Sequence, residues 1–308
     1  MKISVRFEGG LGDHILANRF TPAILEKHPN AEIHLYSDTN GSNFQSSVVN
    51  KLFNFYKTTT LLKRKGETYN ILSQFGKENF PTHINNIDDK QREEMMSCDK
   101  FYNLHIDWLA WMDYDFHWQK YFSFFPTPHN PVPEYHHDKP YILLHIASDN
   151  RGNNHRMSRE YINNIIKKCL ADYDVLVLST STTKDFIDKV IPKNPNIHII
   201  NKDIYEVISI CKSAKGIFAI DSAIKYFGYT FNIPTLCWAK ESTSPHSCPT
   251  SFKIRWLTFP LLMFPLEYDH HYMWETMSNL INNNNNIFCP HLQEPDLSNT
   301  LIRRRLWT

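Results

Sequence analysis

The first twenty residues, Met1-Lys-Ile-Ser-Val-Arg-Phe-Glu-Gly-Gly-Leu-Gly-Asp13-His-Ile-Leu-Ala-Asn-Arg-Phe20, constrain this chain more than any other stretch. Ile3, Val5 and Phe7 alternate with polar residues, as a short strand requires. Gly9, Gly10 and Gly12 then permit a tight loop with φ > 0, and Asp13 stands where a helix begins. Ile15, Leu16, Phe20, Ala23 and Ile24 recur at helical spacing until His28-Pro29-Asn30 stops the run, and Ala31 to Tyr36 reads as the next strand. Strand, helix and strand in that order start a parallel α/β layer with a right-handed crossover. Ligands bind outside the carboxyl ends of such strands, so Asp13 is placed both to cap a helix and to meet a substrate.

With 308 residues the chain exceeds one ordinary domain, and two domains are expected. A hydrophobic share of 42% and an aromatic share of 14% support globular cores. The net charge of +1 gives no electrostatic reason for a polyanionic partner. Lys63-Arg64-Lys65 and Arg303-Arg304-Arg305 read as solvated faces or tails. Cys98, Cys169, Cys211, Cys237, Cys248 and Cys289 form no C-x-x-C pair, which fits reduced thiols in the cytoplasm. No leader opens the chain, and no apolar run reaches the length of a membrane span.

Signals weaken from Asp38 to about Ile87, where Val48 to Tyr56 reads as a helix and Thr68 to Ser73 as a short strand. Residues 101 to 125 are rich in aromatics, among them Phe101, Tyr102, Trp108, Trp111, Tyr114 and Trp118, interleaved with Asp107, Asp113 and Asp115. Aromatic faces flanked by carboxylates suit sugar rings and their hydroxyls, which makes Asp107, Trp111 and Asp113 candidates for binding an acceptor. The alternative is the core of a helical hairpin with an acidic outer face.

Four prolines between Phe125 and Glu134 stiffen the chain and mark a domain boundary. Beyond it, Tyr141 to Ile146 is a nearly continuous apolar run, as in a strand buried on both faces, and Asp174 to Leu178, Ile197 to Ile200, Gly216 to Ile220 and Thr235 to Trp238 read as further strands. Helices at Arg159 to Cys169, Thr183 to Val190, Tyr205 to Ser213 and Ala223 to Phe231 alternate with them. This rhythm is that of a doubly wound sheet, whose strands end in polar points that open onto one edge. After Pro265, a further helix is expected from Leu266 to Leu280, with Tyr272, Met273, Thr276, Met277 and Leu280 on its packed side.

Two polar segments at that edge suit a phosphate-bearing ligand. The loop Ser148 to Met157 carries Arg151, His155 and Arg156 between a strand and a helix, and cations beside free helix amide groups attract phosphate. Asp221-Ser222-Ala223 places an acid and a hydroxyl at the end of a buried strand, where helix capping alone is the competing explanation. His136-His137-Asp138 and Asp269-His270-His271 read as surface or packing residues, so no metal site is expected.

Gly10-Leu-Gly-Asp13-His-Ile, His28-Pro-Asn-Ala-Glu-Ile33 and Phe218-Ala-Ile-Asp-Ser-Ala-Ile-Lys-Tyr-Phe-Gly-Tyr-Thr-Phe-Asn-Ile-Pro234 together resemble glycosyltransferase family 9, the heptosyltransferases. The resemblance covers residues 1 to 36 and 140 to 240 and leaves the middle unmatched. It implies the α/β fold of GT-B type, two Rossmann-like lobes facing across a cleft. Residues 1–130 would form the acceptor-side lobe and residues 131–264 the nucleotide-sugar lobe, with a helix and tail at 265–308 packing back toward the first lobe. The implied activity is metal-independent, inverting transfer of a sugar from a nucleotide-sugar to a hydroxyl of a glycan or lipopolysaccharide-like acceptor, without a cofactor.

Asp13 would be the catalytic carboxylate in that reading. Gly12, Ser148, Arg151, His155, Arg156, Asp221, Ser222, Ala223 and Lys225 would bind the donor. Ala223 stands where the family has glycine, Lys225 and Tyr226 where serine and histidine commonly follow, and Met157 where tryptophan is frequent. Three other readings stay open: transfer to a modified nucleic-acid base, a non-catalytic nucleotide or glycan binder, and an NAD-dependent enzyme. The last rests on Gly10-x-Gly12-x-x-Ile15 with Asp38 at the end of the second strand.

Overall fold

The computed structural model describes residues 1–18, 21–38, 52–53, 56–63, 65, 86–104, 134–147, 158–220, 222–231, 233–239, 261–265 and 270–282. The chain divides into two compact units, Met1–Pro131 and Val132–Thr308.

In the first unit, β1 (Lys2–Glu8) lies between β2 (Glu32–Asp38) and β4 (Lys100–Leu104), and β3 (Thr58–Leu61) pairs with the outer side of β2. All three pairings are parallel. The loop after β1 is shorter than the glycine pattern implies. Gly9 alone among the described glycines has positive φ, at 109°, and α1 (Leu11–Asn18) has already begun before Gly12. Asp13 is consequently the third residue of that helix, in its first turn, and is not its cap. The expected single helix up to His28 is two helices, α1 and α2 (Thr21–Lys27).

β3, β4 and α3 (Asp89–Met96) carry weak local signals and were not anticipated. The strand expected at Thr68 to Ser73 and most of the helix expected at Val48 to Tyr56 lie outside the described residues. Phe101 to Leu104, the start of the aromatic stretch, belongs to the strand β4 and not to a helical hairpin, and residues 105–125 lie outside the described residues. Phe101 packs against Tyr36, Ile87 and Met95, and the Tyr102 hydroxyl is 3.0 Å from His28 Nε2.

The second unit matches its sequence rhythm closely. Its strands β5 (Tyr141–His145), β6 (Asp174–Leu178), β7 (Ile197–Ile200), β8 (Gly216–Ile220) and β9 (Thr235–Ala239) are joined by β10 (Leu261–Pro265), which was not anticipated. The parallel order is β10-β9-β8-β5-β6-β7. Counted from β5, this is the order 3-2-1-4-5-6 of dinucleotide-binding sheets. The helices α4 (Arg159–Cys169), α5 (Lys184–Val190), α6 (Ile204–Ser213), α7 (Ala223–Thr230) and α8 (His270–Ile281) complete the described unit.

Side-chain alternation explains the core. Ile142, Leu144, Val175, Val177, Phe218, Ile220, Leu236 and Trp238 point to one face, against Tyr161, Ile162, Ile165, Ile166 and Cys169 of α4 and Met273, Met277 and Leu280 of α8. The burial of Met273, Thr276, Met277 and Leu280 agrees with the stripe read from the sequence; residues 283–308 lie outside the described residues. Helix α7 approaches the sheet so closely at Gly228 that a Cβ there would lie 2.0 Å from Thr235 Oγ1, so any larger residue would require the helix or the Thr235 side chain to shift. Among the described residues, no helix is long and apolar enough to cross a membrane.

Candidate functional site

The strand order of the second unit reverses between β5 and β8, and their carboxyl ends are where a parallel sheet opens a crevice. His145 is the last residue of β5, and Ser222 follows the end of β8 at the start of α7. Their side chains meet there, with Ser222 Oγ 2.9 Å from His145 Nδ1. The same oxygen accepts a hydrogen bond from the Ile224 amide at 3.3 Å. A hydroxyl thus caps α7, as the sequence allowed, and simultaneously holds an imidazole at the switch point of the sheet. The first turn of α7 adds backbone amides that favour an anion.

Neighbouring strand ends along this edge are polar and ordered by their own hydrogen bonds. After β6, Thr183 Oγ1 accepts from the Thr180 amide at 2.9 Å. After β7, Asp203 Oδ1 accepts from the Tyr205 and Glu206 amides at 2.8 and 2.9 Å, while Glu206 Oε2 accepts from the Asp203 amide, a complete capping box for α6. Lys225 is fully buried, its Nζ 4.8 Å from the centroid of the Tyr226 ring. It is the third residue of α7. Ser148, Arg151, His155 and Arg156 lie outside the described residues, as does Asp221.

His145 was missed from the sequence, although it is the one polar residue within the apolar run Tyr141 to Ile146. A polar residue at the carboxyl end of an otherwise apolar strand was the available signal.

The first unit has its own polar strand ends. Arg6 is fully buried and donates from Nη1 to Asn103 Oδ1 at 2.9 Å and from Nη2 to Asp38 Oδ2 at 2.6 Å, with Glu8 Oε2 2.7 Å from the same Nη2. The guanidinium therefore ties β1 to both of its neighbours. Asp38 is engaged by Arg6 and buried, which removes it as the ribose-binding acid of a dinucleotide site and with it the main support for the NAD reading. Gly12, assigned to the donor by the sequence reading, lies in α1 of this unit. Asp13 shares that first turn, and its side chain lies outside the described residues.

Next to Asp13, His14 is fully buried between Phe7, Phe53 and the hydroxyl of Ser37. Its Nδ1 is 3.0 Å from the Gly10 carbonyl, which can only accept, so Nδ1 carries the proton and Nε2 accepts from Ser37 Oγ at 2.7 Å. Burial lowers its pKa to about 4, so the ring is neutral near pH 7. The residue fastens the glycine turn to β2. The acceptor candidates Asp107, Trp111 and Asp113 lie outside the described residues.

No protein-family model matches this chain, and no curated protein matches its sequence. Solved structures do. The chain is similar to ADP-heptose LPS heptosyltransferase II of E. coli, with a TM-score of 0.62 and 11% identity over 92% of this chain and 99% of that one. It is also similar to a glycosyl transferase family 9 protein from Veillonella parvula, with a TM-score of 0.54 and 12% identity over 80% of this chain and 83% of that one. At such identities the likeness is one of fold: two parallel α/β sheets in the GT-B manner, as the sequence resemblance implied.

Proposed function

We propose that this chain is a glycosyltransferase that moves a sugar from a nucleotide-sugar donor to an acceptor hydroxyl, by inversion and without a catalytic metal. The observation that carries the reading is the His145–Ser222 pair at the switch point of a 3-2-1-4-5-6 sheet, beside the amino end of α7. A nucleoside diphosphate suits that place because the positive end of the α7 dipole and an imidazole favour phosphate oxygens. Arg151, His155 and Arg156 precede α4 in the chain and would add cations to the same edge.

In the proposed reaction the acceptor oxygen attacks the anomeric carbon, and the bond from that carbon to the diphosphate oxygen breaks. Asp13 takes the acceptor's proton, and the leaving diphosphate keeps the bonding electron pair, stabilised by the cations and the α7 amides. The structural neighbour named for ADP-heptose supports a nucleotide-sugar donor. The acceptor is a glycan or lipopolysaccharide-like hydroxyl in this reading, and the cytoplasm is the compartment that suits unpaired thiols.

A panel of nucleotide-sugars and nucleoside diphosphates, scored by thermal stabilisation, tests the proposal. A true donor at about 100 times its dissociation constant adds about 2.7 kcal/mol to stability. Ser222→Ala should weaken the response. Stabilisation by NAD alone, or by no nucleotide, would overturn the reading.

A further inference from the structure

The opposite, amino edge of the second sheet holds a cluster that the proposed transfer does not use. His137 lies on the lead-in to β5, Asp174 is the first residue of β6, and His198 is the second of β7. No local spacing announces them, because 37 residues separate His137 from Asp174. The parallel register brings them together: Asp174 stands beside Tyr141 and His198 beside Leu176, all on one face of the sheet. Sequence alone made His137 a surface or packing residue; the fold makes it part of a set.

Both imidazoles turn the same nitrogen toward the same carboxylate oxygen. His137 Nε2 is 2.9 Å and His198 Nε2 3.6 Å from Asp174 Oδ2. The three donor atoms all lie within 4.8 Å of one another. In a tetrahedral site with bonds of about 2.0–2.1 Å, donor atoms stand about 3.3–3.4 Å apart. The two measured separations bracket that value, and the imidazole donor atoms lie within 4.8 Å of each other, so a metal fits once the two imidazoles close on it.

The surroundings hold the ligands in place. The His137 ring stacks on Tyr135 and meets Tyr141 and His198 edge-on, at centroid distances of 6.4, 5.4 and 5.0 Å. The Asp174 side chain is 9% exposed. Burial pushes its carboxyl up, but the His137 hydrogen bond and the charges of Lys139 and the histidines outweigh that and hold it below the ordinary value. Lys139 Nζ is the competing cation, 3.8 Å from Asp174 Oδ1. It addresses the other carboxylate oxygen from a side chain that is 61% exposed, and it can withdraw into solvent.

We propose that His137 Nε2, His198 Nε2 and Asp174 Oδ2 bind one divalent first-row transition metal of the zinc class, with water completing the coordination. Two imidazoles and a carboxylate are a ligand set that such ions prefer over magnesium or calcium. The ion would fasten the lead-in of β5 and the edge strand β7 to β6. It has no part in sugar transfer, which is placed at the other end of these strands.

The test uses the full chain, stripped with a chelator and titrated with Zn²⁺, and with Co²⁺ as a spectroscopic probe, in the absence of nucleotide. One equivalent should bind, Zn²⁺ should raise the melting temperature by at least about 2 °C, and Co²⁺ should show visible bands of a tetrahedral site without the near-ultraviolet band of a thiolate ligand. His198→Gln, on a partly exposed side chain, should lower the affinity at least about tenfold while keeping the metal-free melting temperature close to that of the parent chain. Asp174→Asn should do the same to binding, and His137→Gln provides a third variant if either folds poorly. Absence of a saturable equivalent, a cobalt–thiolate band, or unchanged binding in His198→Gln would overturn the site. None of these readouts depends on whether the chain transfers sugars.

Discussion

The two sheets share the strand order 3-2-1-4, yet the charge network inside the first and the α4–α8 face of the second are held together in different ways. The second sheet packs an apolar face on α4 and α8, where Phe218 stacks on Trp238 and the indole nitrogen donates to the Tyr161 hydroxyl at 3.1 Å. The first sheet buries a guanidinium between two carboxylates and an amide, and next to it a neutral histidine. An apolar core tolerates small errors of position, because dispersion and hydrophobic burial are not directional. Buried charges must meet their partners within hydrogen-bonding distance or cost several kcal/mol each. The first unit therefore holds its glycine turn, the site of the proposed base, by directional bonds that fix geometry, whereas the face of the second sheet against α4 and α8 relies on apolar packing.

The contrast is broken most severely at Arg6. Arg6→Met should cost about 3–5 kcal/mol, because Glu8 and Asp38 would stay buried without their counter-charge. Denaturant unfolding measures this, and Arg6→Met combined with Glu8→Gln and Asp38→Asn should recover part of the loss. A cost under about 1 kcal/mol for the single variant would mean that the network is not what ties β1 to β2 and β4.

At His14 the expected effect is up to about 3 kcal/mol and depends on pH. In the unfolded chain its pKa is near 6.5, in the folded chain about 4. Between those values the unfolded state holds the proton and the folded state does not, so stability falls as pH drops from 6.5 toward 4 and is fully present above 6.5. His14→Gln should be less stable at pH 7.5 but should show a shallower decline between pH 6.5 and 4. Equal slopes in the two proteins would remove His14 from the pH response.

Asp13→Asn sharpens the comparison by separating chemistry from fold. Turnover should fall at least about a hundredfold, equivalent to about 2.7 kcal/mol of barrier, since the proton acceptor is lost. Stability should change by at most about 1 kcal/mol, the worth of a carboxylate charge in the first turn of a helix. Transfer rate and melting temperature, measured side by side with a donor found in the panel, decide it. Near-normal turnover would move the base elsewhere, with Asp107, Asp113 and Asp115 next in line.

The smallest effect belongs to the second unit's local devices. Asp203→Ala removes the capping box of α6 and should cost about 1 kcal/mol, with no change in nucleotide binding. A loss as large as that of Arg6→Met would show that the second unit also depends on directional bonds, and the contrast would fail.

The sequence by itself determined most of the second unit. Four of its elements, at Arg159–Cys169, Asp174–Leu178, Ile197–Ile200 and Gly216–Ile220, have the bounds read from the pattern, because fully buried strands (β6, β8), an apolar edge strand (β7) and an amphipathic helix each write their type into consecutive residues. The strand–turn–helix opening and the capping role of Ser222 were legible for the same reason: each depends on residues adjacent in the chain.

Tertiary structure alone decided what depends on distant partners. β3, β4 and β10 carry little pattern of their own and become strands by pairing with β2, β1 and β9. The partners of Arg6, at Asp38 and Asn103, lie 32 and 97 residues away. His145 meets Ser222 across 77 residues, and Asp174 gathers His137 and His198 only because three parallel strands share a register. A side chain's type and local spacing say what bonds it can make, whereas the sheet order decides which partner lies within 3 Å, and charged and polar groups reveal their role only at that distance.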